Sequence, residues 1–127
     1  MTAFRSVTMA TVIALVALML YAGSPTDLWW WAGALPFGLW VIGPAAAPYL
    51  LAARQSRRWF SITMLLYLAA SSSLSGVAYD AAFFRSSSST AALVMVFVPL
   101  YQWLALALLL CICLGTAAWL TRRHKAV

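Results

Sequence analysis

The chain predicts an all-α membrane protein, an antiparallel bundle of four transmembrane helices forming a single domain over 1–127. Three observations carry this. Hydrophobic residues fill 65% of the 127 positions and charged residues only 8%, where a soluble domain carries about a quarter charged. The apolar residues gather in four long segments, and the charges lie between those segments or at the ends. So little charge cannot cover a protein surface in water, and a bilayer is the environment in which such a surface is stable.

A span needs about 20 residues, at about 1.5 Å rise each, to cross roughly 30 Å of hydrocarbon. The first segment, 7–22, is at the short end. Arg5, the apolar run and "YAGS" also resemble a secretory signal peptide. The residue three before a cut would be Leu20 or Tyr21, both poor choices for that position, so the segment is read as a retained span. "SPTD" at 24–27 then reads as a helix start, with Ser24 as cap, Pro25 in the first turn and Asp27 near the positive end of the dipole.

The second segment, 28–53, is longer than a span requires. Trp29, Trp30 and Trp31 open it. Consecutive residues on one helix point about 100° apart, which suits an interfacial belt better than a cage of facing rings. Trp59 and Trp119, beside basic clusters, are further interface anchors. Pro36, Pro44 and Pro48 each remove a backbone donor and crowd the preceding turn, so a kink is expected here. The carbonyls they free need partners in a bilayer. Ala34, Gly38, Gly43 and Ala47 leave room for a neighbouring helix.

The third segment, 59–79, fits a span closely and carries "SSSLSG" at 71–76. Ser72, Ser75 and Gly76 lie near one face. They suit helix packing with hydroxyls bonded to the preceding turn, or a polar lining for a small solute. Tyr79, Asp80, Phe83, Phe84 and Arg85 then read as a loop. Asp80 would pair with Arg85 or cap a short helix, and the two phenylalanines would be exposed as a partner-docking surface or as belt residues.

The fourth segment, 90–120, is overlong. If Trp119 marks one interface, a span ends near Pro99, and 90–98 must be covered by the Trp29–Trp31 end, the Phe83–Phe84 loop or another protein. Gln102 is the sole side-chain amide inside a predicted span. It requires a partner, and a serine of the third segment is the nearest chemistry. Tyr101, Gln102 and Trp103 are the candidate polar site.

The basic residues orient the bundle. With the N-terminus inside, Arg5, Arg54, Arg57, Arg58, Arg122, Arg123 and Lys125 share one side, while Arg85, Asp27 and Asp80 share the other. This asymmetry predicts a bacterial cytoplasmic membrane with both termini cytoplasmic. The net charge of +6 is placed at membrane edges, so nucleic acid is not expected. The partners expected are the lipid bilayer and a membrane protein, or a second copy of this chain.

Much catalytic chemistry is missing. The sequence has no Glu and no Asn, and only two Asp. No charged residue falls in mid-span, where a proton-coupled transporter normally keeps a carboxylate or histidine. Small four-span multidrug exporters have a similar length but use a glutamate in the first span. Four-span quinone-linked disulfide enzymes need cysteine pairs at their loops. Neither feature is present. Cys111 and Cys113, two apart on a helix, diverge by about 200° and cannot close an ordinary disulfide, so they read as packing residues. His124 in "RRHK" has no partner at metal-ligand spacing and reads as a solvated tail residue. No catalytic, cofactor or metal site is predicted. The function expected is non-catalytic: an accessory, assembly or immunity-type protein acting by helix packing with another membrane component. The alternative is a small oligomeric channel, holin-like pore or facilitator.

Overall fold

A computed structural model describes residues 2–55, 57–85 and 91–125. They form four helices, α1 (Thr2–Ala22), α2 (Leu28–Arg54), α3 (Arg58–Asp80) and α4 (Ala91–Lys125), with a π-helical turn, Ala81–Arg85, continuing α3. Among the described residues there is no strand. All four helices are long and apolar enough to cross a membrane, α3 taken together with its extension. Thr90 and the side chains of Arg123, His124 and Lys125 lie outside the described residues.

Three boundaries differ from expectation. α1 starts at Thr2, before the predicted Val7, because Arg5 is exposed and helix-compatible; it limits the apolar stretch and leaves the helix intact. α2 is capped by Asp27 rather than Ser24: its carboxylate accepts from the Trp29 N–H at 3.0 Å. Pro25 instead lies in the turn closed by the Asp27 N–H on the Ser24 carbonyl, 3.0 Å. The predicted loop at 79–85 is helical throughout. Neither glycine nor proline occurs between Gly76 and Pro99, so nothing local stops α3 where the apolar run ends.

α2 and α3 form the inner pair. α2 packs against each of the other helices, and α3 does the same, while α1 and α4 do not pack on one another. The buried side of α2 is Gly38, Val41, Pro44, Ala45, Pro48 and Ala52, a repeat of three and four residues that traces one helical face. α3 answers with Phe60, Met64, Leu68, Ser75 and Tyr79. At one end Phe4 of α1 meets Tyr49 of α2, ring centroids 5.6 Å apart. At the other, Tyr21 of α1 stacks on Phe84 beyond α3, 5.8 Å. Arg54, Arg57 and Arg58 lie at the first end, Asp27, Asp80 and Arg85 at the second.

Pro44 and Pro48 of α2 are buried inside the bundle, whereas Pro36 is exposed. Pro44 has no N–H for the carbonyl of Trp40, four residues earlier. The indole Nε1–H of Trp103 on α4 donates to that carbonyl at 3.3 Å. Gly43 makes room for the ring: a Cβ there would collide with Trp103 Cζ2. At Gly38 an added Cβ would stand 3.5 Å from Met19 Cε of α1, an ordinary van der Waals contact, so no comparable room is needed there.

The surplus length of α4 is covered in part. Met95 is buried, and Val94 and Val98 pack on the core. Met95 lines a cleft of about 280 Å³ with Met19, Gly23, Trp30 and Phe37. Leu93, Val96 and Phe97 remain exposed. Large apolar side chains are exposed on every helix, among them Ile13, Leu39, Leu74, Leu104 and Leu108. In lipid such faces carry no hydrophobic penalty, and helices associate through packing and hydrogen bonds instead.

Candidate functional site

Hydroxyls in the helices mostly bond to their own preceding turn, as Thr8 does to the Phe4 carbonyl (3.0 Å) and Ser73 to that of Ala69 (2.9 Å). Six hydroxyl and amide side chains do more and bridge helices. Gln102 of α4 donates through Nε2 to Ser71 Oγ at 2.8 Å and to Ser75 Oγ of α3. Ser75 passes its own proton to the Ser71 carbonyl at 2.7 Å. Tyr67 O–H donates to the backbone carbonyl of Gln102 at 2.7 Å. On the other side of α3, Ser72 Oγ lies 3.2 Å from Thr11 Oγ1 of α1. Thr11 has one proton and gives it to the Val7 carbonyl at 2.9 Å, so Ser72 is the donor across the helices. α3 is therefore the polar hub, joined to α4 through Gln102 and to α1 through Thr11.

Two clefts flank this hub. One, of about 590 Å³, lies between α1 and α3. Ala10, Ala14 and Ala17 line its α1 side, Ser72 and Gly76 its α3 side, and Ala45 and Gln102 its depth. Tyr21, Asp80 and Phe84 stand at one end. The second, of about 410 Å³, lies between α3 and α4 and is lined by Tyr67, Leu74, Ala78, Val98 and Tyr101. Ser71, Ser75 and Gln102 border both, so the hydrogen-bonded cluster is the partition between them. Both clefts are mainly apolar, and among the described residues no buried side-chain nitrogen or oxygen lacks a partner. Among the same residues no three His, Cys, Asp or Glu side chains come together as metal ligands do.

The predicted site residues fall as follows. Gln102 and Ser75 meet directly, while Ser72 and Gly76 line the α1 cleft beside them. Tyr101 is exposed on the second cleft, and Trp103 serves the Trp40 carbonyl, so the three consecutive residues part company, as 100° steps require. Asp80 pairs with Arg85 through Oδ2 and Nε, with both side chains largely exposed. A pair this wet contributes little stability. Of the docking surface expected at Asp80, Phe83, Phe84 and Arg85, Phe83 is half-buried against the core, while Phe84 is exposed and stacks on Tyr21. Of the interface anchors, Trp29, Trp31, Trp59 and Trp119 are exposed, whereas Trp30 is half-buried, edge-on to Trp31 at 4.9 Å. Trp31 also donates to the Pro25 carbonyl at 3.0 Å. Cys111 is exposed and Cys113 buried, both free thiols.

Ser71, Tyr67 and Thr11 belong to the cluster and were not singled out. A signal existed for Ser71 and Ser75, one turn apart with Tyr67 one turn earlier, the spacing that aligns side chains on one helix face. Comparison with family models, with curated proteins and with solved structures finds no match for this chain.

Proposed function

We propose that the protein is a non-catalytic integral membrane protein of the bacterial cytoplasmic membrane, working by helix packing with another membrane component in an accessory, assembly or immunity-type role. The four helices run antiparallel with α2 kinked, and both termini are cytoplasmic. One observation carries the reading. Gln102, the lone side-chain amide in the spans, directs its N–H groups to Ser71 and Ser75 of its own chain. The N–H groups of this amide thus tie α4 to α3 within the chain. Purification in mild detergent tests it: a stoichiometric membrane partner is expected, and the protein alone in liposomes moves no solute. Solute flux by the purified chain would overturn the proposal.

A second reading rests on the position of that same cluster. It borders two clefts on opposite sides of α3, as the constriction of a small oligomeric channel, pore or facilitator would. Here Gln102→Leu and Ser72→Leu are expected to abolish flux, and the absence of flux in the parent chain rejects it.

A further inference from the structure

We propose that the cleft between α1 and α3 is a lipid site, holding one acyl chain from the leaflet farther from Arg54, Arg57 and Arg58. The cleft is closed at each end by a contact between the same two helices. At its deep end Thr11 Oγ1 and Ser72 Oγ are 3.2 Å apart. At the other, Tyr21 stacks on Phe84 at 5.8 Å. Thr11 to Tyr21 covers ten residue steps of helix, about 15 Å. Half of a roughly 30 Å hydrocarbon core is the same length, the depth one acyl chain occupies.

Width selects between a chain and a helix. A transmembrane helix with side chains is about 10–12 Å across. It cannot lie along a cleft whose walls touch at both ends, whereas a single flexible hydrocarbon chain can. The wall between the two bridges is open laterally, since Ala14, Ala17 and Gly76 are exposed. Its volume, about 590 Å³, lies in the range of small-molecule sites. The upper end carries Asp80, already paired with Arg85. That pair presents both charge signs where a zwitterionic headgroup would rest.

Gly76 supplies the clearest single test position. In mid-helix a glycine costs about 0.5–1 kcal/mol relative to alanine, yet a Cβ added here meets no atom of the chain. The space it leaves is filled by nothing in the protein. A larger side chain at this position therefore enters the cleft without disturbing the bundle.

The inference rests on membrane residence alone, so its failure would leave the accessory role standing. The probe is a phosphatidylethanolamine with a diazirine on one acyl chain, diluted into phosphatidylethanolamine–phosphatidylglycerol vesicles containing the full chain. After irradiation, adducts are expected to concentrate on 10–21 and 71–84. Gly76→Leu should lower them at these positions, because the added side chain occupies the cleft. Gly115→Leu, which also enters open space on α4, should leave them unchanged. Adducts spread evenly over the exposed helix faces, or unaffected by Gly76→Leu in a chain that still unfolds at the parent's detergent concentration, would overturn the proposal.

Discussion

At Gln102, two interhelical hydrogen bonds of the spans meet in one side chain. Interhelical hydrogen bonds in membranes contribute about 0.6 kcal/mol each on average, and Nε2 makes two of them to α3. Gln102→Leu is therefore expected to cost about 1 kcal/mol, read as a lower midpoint of unfolding in mixed detergent micelles. An unchanged midpoint would mean that the bundle does not depend on this tie. That a lone amide in an apolar segment needs a partner was legible from sequence, because hydrocarbon offers none. The partner's identity was less so. Four consecutive positions, Ser71, Ser72, Ser73 and Leu74, cover the whole circumference of a helix, and which of them faces α4 depends on how α3 is rotated in the bundle.

The elements show where local chemistry suffices and where it does not. Helix lengths and the internal prolines of α2 could be read directly, since span length and missing donors are local properties. The fate of the freed carbonyls could not, because the donor for Trp40 is 63 positions away, on Trp103. Replacing Trp103 by Phe removes that donor. In a Pro44→Ala background the Trp40 carbonyl regains an intrahelical N–H, so Trp103→Phe should cost less there, with a coupling of about 0.5 kcal/mol or more. Purely additive losses would detach the indole from the proline. Gly43→Leu should be worse than either, since its side chain enters the space of the Trp103 ring. The segment 79–85 was misread for a physical reason. Its charges and aromatics resemble a surface loop, but no residue in it breaks a helix, and backbone hydrogen bonding continues to Arg85.

At the scale of the whole molecule, the four apolar helices follow from composition and segment length alone. The pairing of helices does not. That α2 and α3 are inner while α1 and α4 remain apart depends on side-chain fits between distant positions, such as Trp103 against Gly43. The two ends differ in charge, with Arg54, Arg57 and Arg58 at one and Asp27, Asp80 and Arg85 at the other. That difference, placed across a bilayer, supports the proposed orientation through the excess of basic residues on the cytoplasmic side. Every functional proposal made for the chain requires this crossing, whether the occupant of its surface is a partner helix, a lipid chain or a solute.

Cysteine accessibility in intact cells tests that crossing most directly. In a background with Cys111 and Cys113 replaced by alanine, Ser24→Cys should react with an impermeant maleimide added outside. Ser56→Cys and Ala126→Cys should react only after the membrane is opened. Finding positions 56 and 126 on opposite sides would contradict a four-span chain with both ends in the cytoplasm.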